Sequence, residues 1–400
     1  MPRQSVWRSR VWGDWRRQSG LRAAIVSGLC WSAGRLIRPS SPDRRVLPST
    51  EAPNIVVIKP LALGDVLQTT PFLDALRRAI PQARIAYAVS DYSKPALANN
   101  PHIDEIVPMG TLGTPHLYDL RAYATLVREL RGRAFEIAFV LDRSPLMALL
   151  PYFAQIPYRI GIDSRGRGFA HTLRVAAKSG HQVAEYLAVA QAAGVDTTNA
   201  RSHFYPTPRD RDAALRLIQE FGLAGMGPLT VMAPGGGVNP GAVDVTKRWP
   251  AERFARVADT LVSRHGANVV MIGLRSDAGS IEGVRRAMHF SSVDLSGQTS
   301  FGQLAALIAM CDLFVGNDSV AGHLAACVGT PSVTVFTSTS AAEYGPYGAN
   351  AQWVQAGERP GAVDVDAMVA AASEALRRWR GETPNEKLRD QRRPHPSREE

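Results

Sequence analysis

Three stretches carry side chains of the types and spacings that chemistry needs. The first is VVIKPLALGDVLQTTPFLDALRRAIP, Val56 to Pro81, in which Asp65 follows Gly64 between an apolar run and an amphipathic one. A carboxylate on a loop after a strand can take the proton of an attacking hydroxyl as a general base. Standing just before VLQ, the same residue can equally cap a helix. The second stretch is LFVGNDSVAGHLAACVGTPSVTVF, Leu313 to Phe336: a buried strand ends at Gly316, turns through Asn317-Asp318-Ser319, and enters a helix carrying His323. Backbone N–H groups at a helix start attract anions and the helix dipole reinforces them. Ser319 adds a hydroxyl donor, and His323, one turn on, can reach the same phosphate. Asp318 suits a ribose contact or the orienting of a neighbour. The plainer alternative is that Asp318 or Ser319 caps the helix and His323 is packing. The third stretch, APGGGVNPGAVDVTKRWPAERF, Ala233 to Phe254, joins a glycine-rich loop to a Lys-Arg-Trp-Pro helix entry. Lys247 is a compact charge suited to a pyrophosphate, and Arg248 offers a fork for a carboxylate or phosphate; two solvated loop cations are the alternative.

These residues need a scaffold, and the pattern of the chain supplies one. IVVI, ARIAYAV, DEIV and FEIAFVL are short β-rich runs separated by helical patterns. The alternation restarts with LTVMAPGGG, ANVVMIG, VDLSG, DLFVGND and PSVTVF. Strands alternating with helices imply βαβ units and mostly parallel sheets. Pro206 and Pro208 mark a boundary, so the chain reads as two doubly wound α/β halves, which bind ligands where strand C-termini face a cleft. At such strand ends, Lys59 and Arg143 can meet an anionic acceptor, for which Arg248 is a further candidate, and Asp277 in GLRSDAG can meet a ribose. Asp364-Val365-Asp366 spells a formal DxD, but at the start of the last helix acidic residues are ordinary first-turn stabilisers. No GxGxxG follows a strand, and GxxxxGK[ST], HExxH and GxSxG are absent, so a dinucleotide site has no support.

Composition bounds the rest. Four hundred residues with a net charge of +10 suit two domains and anionic partners. Residues 1–50 hold ten Arg against two Asp, with Trp7, Trp12, Trp15 and Trp31 interleaved. This stretch reads either as an interfacial segment for anionic lipid or as an unstructured basic leader. No run reaches the ~20 apolar residues of a membrane span. Cys30, Cys311 and Cys327 have no ligand-like spacing, so neither a disulfide framework nor a metal site is expected. The basic ends come with no nucleic-acid module.

Taken together, VVIKPLALGDVLQTTPFLDALRRAIPQARI, TKRWPAERF and GNDSVAGHLAACVGTPSVTVF resemble the bacterial lipopolysaccharide heptosyltransferases of glycosyltransferase family 9. PYRIGIDSRGRGF and HQVAEYLAVAQAAGV are similar to that family's midsection, and the likeness runs from about Asn54 to Arg380. The resemblance implies the GT-B fold, two Rossmann-like doubly wound domains facing a cleft. Residues 54–207 would bind the acceptor and 208–380 the nucleotide-sugar, after a basic leader and linker (1–53) and before a disordered tail (381–400). It implies an inverting transfer of heptose from an ADP-heptose donor to a lipid-linked inner-core acceptor, with no cofactor and no essential metal. It also implies a peripheral place at the cytoplasmic face of the inner membrane, a monomer, and no nucleic-acid partner. By resemblance Asp65 matches the catalytic base of a G-D-V-L motif, and Lys247 the lysine on the donor phosphates. Asp318, Ser319 and His323 match the donor-binding D-[ST]-G-x-x-H-L motif. Val320 departs from it, standing where the family has Gly. A relative using another nucleotide-sugar or acceptor, and a non-catalytic nucleotide-binding relative, are the alternative readings.

Overall fold

The computed structural model describes residues 21–36, 51–112, 119–225, 227–239, 242–356 and 363–382. The expectations placed on Trp7, Trp12, Trp15, most of the linker and the tail beyond Glu382 lie outside the described residues. The described residues form two compact units. One runs up to Ala200 and takes in Asn239–Ala242; the other begins at Arg201.

The first unit opens with helix α1 (Leu21–Leu36), so this part of the basic leader is helical. Its sheet consists of β1 (Asn54–Ile58), β2 (Arg84–Val89), β3 (Glu105–Pro108), β4 (Ile137–Val140), β5 (Tyr158–Asp163) and β6 (Leu173–Ala176). All neighbours are parallel, in the order β3-β2-β1-β4-β5-β6. Ile55, Val56, Val57 and Ile58 are fully buried, as a central parallel strand covered on both faces requires. The connecting helices are α2 (Leu63–Leu67), α3 (Thr70–Ala79), α4 (Leu120–Gly132), α5 (Pro145–Phe153) and α6 (Gln182–Ala192). Phe72 of α3 meets Phe139 of β4 edge to face, with centroids 5.2 Å apart.

The second unit repeats this plan. Its helices are α7 (Pro208–Glu220), α8 (Ala251–His265), α9 (Ala278–Ala287), α10 (Phe301–Ala309), α11 (Val320–Val328), α12 (Ala341–Tyr344) and α13 (Val365–Glu382). Its strands are β7 (Leu229–Ala233), β10 (Asn268–Met271), β11 (Val293–Asp294), β12 (Leu313–Asn317), β13 (Ser332–Phe336) and β14 (Ala351–Gln355). Two short strands, β8 (Val238–Asn239) and β9 (Ala242–Val243), pair in the loop after β7. The main sheet is ordered β11-β10-β7-β12-β13-β14, so each sheet reverses direction once, at β1/β4 and at β7/β12. Such reversals leave a crevice beyond the strand C-termini, where α/β sheets bind ligands.

Three local differences from the sequence expectation have physical causes. The amphipathic pattern after Asp65 is two helices, because Pro71 has no N–H for the Leu67 carbonyl; the Thr70 hydroxyl takes that carbonyl instead, at 2.7 Å. Strands β5 and β6 do not show as apolar runs in the sequence, since Arg159 and Gly161 interrupt the first and Arg174 the second. Edge strand β14, AQWVQ, leaves Trp353 exposed and reads as polar.

The turn between β5 and β6 holds a fully buried imidazole. His171 lies so close to Gly161 and Gly168 that a Cβ on either would stand 2.6 Å or 2.9 Å from its ring. Burial, then the nearby charges of Arg159 and Arg174, push its pKa down to about 3. The native ring therefore refuses a proton that the unfolded chain accepts below an ordinary pKa of about 6.5. This contribution to stability is whole above that pH and is lost as pH falls toward 3, at up to ~1.4 kcal/mol per pH unit. We expect urea midpoints to fall less steeply on acidification in His171→Gln than in the parent protein. Parallel profiles would show that the imidazole is not the group responsible.

Candidate active site

The first cluster stands at the β1/β4 reversal. Lys59 follows β1 directly, and Asp142 lies two residues beyond the end of β4. The Lys59 ammonium is 3.2 Å from Asp65 Oδ2 and 3.3 Å from Asp142 Oδ2, with the lysine side chain only 8% exposed. Burial by itself would lower the pKa of this ammonium. The charges of Tyr186, Asp65 and Asp142 outweigh burial and raise it, so Lys59 is cationic. Asp142 is itself fixed, accepting the Ser144 backbone N–H at 2.8 Å.

Asp65 is not the cap of α2. That position belongs to Ala62, which makes no side-chain cap bond, and Asp65 sits inside the first turn. Its side chain is 37% exposed, and Lys59 holds its Oδ2. Arg143, the neighbour of Asp142, is engaged by Glu185 of α6, which accepts from its Nε at 3.2 Å and its Nη2 at 2.5 Å.

The second cluster stands at the β7/β12 reversal. Asp318 is 5% exposed, and its Oδ2 accepts from Lys247 Nζ at 2.6 Å and from Thr339 Oγ1 at 2.6 Å. The Asp318 carboxylate thus fixes the Lys247 ammonium in place. An ammonium has three N–H donors, and this bond uses one. Ser319 is the N-terminal cap residue of α11, with extended φ and ψ of −154° and 167° and no side-chain cap bond. Its buried hydroxyl has no hydrogen-bond partner. Val320 is the first residue of that helix, and His323, nearly buried, is the fourth. Gly316 lies within β12, where a Cβ would press on Phe314 Cζ at 2.8 Å. It serves close packing of the sheet.

The glycine-rich loop is tied down by residues from three other segments. Asn317, fully buried, donates to the carbonyls of Pro234 at 2.7 Å and Gly235 at 3.0 Å, and accepts from the Trp249 N–H at 3.0 Å. Asp277 has its oxygens on protein donors: Gly236 N–H at 3.3 Å and Arg248 at 3.4 Å on Oδ1, and Leu274 N–H at 2.9 Å on Oδ2. Arg248 lies in this unit and also donates to the Gly236 carbonyl at 3.1 Å. A Cβ on Gly235 would fall 2.3 Å from Asp277 Cγ, so only glycine admits this approach. Asp277 and Arg248 thus hold the loop in shape.

Lys247, Asp318, Ser319 and His323 are brought to one strand end, and Lys59 and Asp65 to another. Asp142 and Thr339 carry no motif in the sequence, and Asn317 shows there only as a turn residue. A buried polar residue ending an apolar strand was the one available signal, and it applied to Asn317. Asp364, in the formal DxD, accepts the Asp366 N–H at 3.1 Å as a helix-start residue. Among the described residues no group of three or more His, Cys, Asp or Glu side chains is placed to hold a metal ion.

Known proteins carry the same plan. Residues 123–369 match the family model described as glycosyltransferase family 9 (heptosyltransferase). Lipopolysaccharide heptosyltransferase 2 of Salmonella typhimurium is 29% identical over 297 residues, covering 72% of this chain and 83% of that protein. Among solved structures, the glycosyl transferase family 9 protein of Veillonella parvula is similar with a TM-score of 0.71 and 25% identity, across 82% of this chain and 100% of that one. E. coli ADP-heptose lps heptosyltransferase II is similar in fold, with a TM-score of 0.64 at 24% identity and the same coverage.

Proposed function

The chain belongs to glycosyltransferase family 9, and from that premise we propose that it moves a heptosyl group from ADP-heptose to a lipid-linked lipopolysaccharide core acceptor, inverting the anomeric centre. The observation that carries this reading is the pair of lysine–carboxylate clusters, each at the strand reversal of its own sheet. The first is suited to an acceptor hydroxyl and the second to a diphosphate.

Asp65 takes the proton of the acceptor hydroxyl as its oxygen bonds to the anomeric carbon. The bond from that carbon to the diphosphate oxygen breaks in the same displacement, and ADP leaves with the electron pair. A positioned base of this kind is worth roughly 10²–10⁴ in rate. Lys59 and Asp142 keep the carboxylate in place, and the Arg143–Glu185 pair braces the neighbouring strand end. On the donor side, charge grows on the departing diphosphate. Lys247, the Ser319 hydroxyl and the backbone N–H groups opening α11 meet that charge as preorganised donors, so no metal is invoked for it. His323, one turn on, adds a further contact to the nucleotide. The acceptor is membrane-borne, and the enzyme works as a peripheral protein at the cytoplasmic face of the inner membrane. No described helix is long and apolar enough to cross a membrane.

The test is ADP release from ADP-heptose by the purified protein, with and without a Kdo-bearing lipid A acceptor. Acceptor-dependent release supports the reading. Binding of ADP without release redirects it to another sugar or acceptor, with Val320 at the donor helix start as the first position to revert to Gly. Neither binding nor release leaves a non-catalytic relative.

A further inference from the structure

We propose that α1 is a docking surface for an anionic lipid bilayer, which it meets lying flat through Leu29, Trp31 and Arg35. The inner side of the helix is already occupied. Cys30 is buried with Ala148, Phe169 and Ala170, and Val26 packs on the same cluster. A Cβ built on Gly34 would stand 3.1 Å from that of Phe169. Val26, Cys30 and Gly34 recur every fourth residue and so share one face.

The remaining surface is unlike one made for water. The 16 residues LRAAIVSGLCWSAGRL contain two charged side chains, Arg22 and Arg35, and no acid. Leu29 is 66% and Trp31 59% exposed, and the Arg35 guanidinium lies 3.7 Å over the Trp31 ring. A lone exposed leucine is unremarkable. Leu29, Trp31 and Arg35 give the exposed side of α1 the aliphatic, aromatic and basic residue types that interfacial helices place at the headgroup boundary.

Charge selects the occupant. Residues 1–50 hold ten Arg against Asp14 and Asp43, with no Glu, which draws this segment to an anionic surface. A second copy of the chain would set the same positive charge against itself. Length selects the orientation: at about 1.5 Å per residue the helix reaches about 24 Å, short of the ~30 Å hydrocarbon layer.

Ala170, on which α1 packs, accepts from Arg159 Nε of β5 at 2.9 Å, and β6 ends the strand order, so α1 lies at the β5–β6 edge of the first unit's sheet. This inference rests on the lipid-linked acceptor of the proposed function and names the element that brings the enzyme to it.

Leu29→Glu/Trp31→Glu in the full chain tests it, by co-sedimentation with vesicles of phosphatidylcholine alone or mixed with phosphatidylglycerol. The parent should bind the mixed vesicles in preference to the neutral ones, and less well at high salt. The variant should lose affinity by about tenfold or more. Its thermal midpoint, and its ADP release with detergent-solubilised acceptor, should be unchanged. Equal binding by the two proteins, or no parent binding to mixed vesicles, overturns the proposal. If the parent ignores vesicles but self-associates more than the variant, the face is a contact between copies. Vesicle binding that depends on these two residues, in a protein with no ADP release, would leave this inference standing and remove the heptosyl reading.

Discussion

Asp65→Asn is expected to lower acceptor-dependent ADP release by about 10²–10⁴-fold, with donor affinity and thermal stability close to those of the parent. Asn keeps the size of Asp and can still accept a hydrogen bond from Lys59, but it cannot take the proton of the acceptor hydroxyl. The stability half of this expectation is what makes the test sharp. Asp65 is 37% exposed and is one of two carboxylates on Lys59, and the other, Asp142, remains at 3.3 Å. The lysine therefore keeps a counter-charge when Asp65 is neutralised. Turnover is read by ADP release, donor affinity by calorimetric titration of ADP, and stability by thermal melting. A fall in turnover of less than about tenfold would mean that the hydroxyl loses its proton elsewhere. An equal fall in melting temperature and turnover would give Asp65 a structural role instead.

Lys247→Met is expected to cost about 10²–10³-fold in turnover, the scale on which loss of one preorganised donor at a developing oxyanion is felt. It should also destabilise the second unit, because Asp318 is left nearly buried without its cation. Breaking a buried pair on one side costs about 3–5 kcal/mol. With the Lys247 side chain 21% exposed and that of Asp318 6% exposed, solvent screens part of this, and about 1–3 kcal/mol is the expected loss. Adding Asp318→Asn removes the stranded charge and should recover most of the stability, while Thr339 can still bond the amide. Turnover should stay low in the double variant, since the donor for the diphosphate is still missing. Recovery of turnover along with stability would reduce Lys247 to a counter-ion for Asp318. Denaturant midpoints and ADP release, measured on the three variants of this cycle, separate the two outcomes.

The sequence alone determined the parts of this protein whose causes are local. Runs such as IVVI and LFVGN are short, apolar and β-branched or aromatic. Buried parallel strands require this, so the alternation of strands with helices, the two doubly wound units and the motifs holding Asp65, Lys247 and Asp318 could all be read directly. Glycine at 235 and Asn317 at the end of β12 were legible as types, though not in their roles. What only the tertiary structure decided is which charges meet. Lys247 and Asp318 are 71 positions apart, and Lys59 and Asp142 are 83 apart. No periodicity links such residues; they meet because the strand order 3-2-1-4-5-6 lays distant segments side by side. The same cause gave Asp277 and Arg248 to the glycine-rich loop, Thr339 to Asp318, and α1 to the β5–β6 turn. A residue's type limits what it can donate, accept or ionise, while its partner is set by packing, and in this protein the partners turn two separate motifs into two lysine–carboxylate clusters.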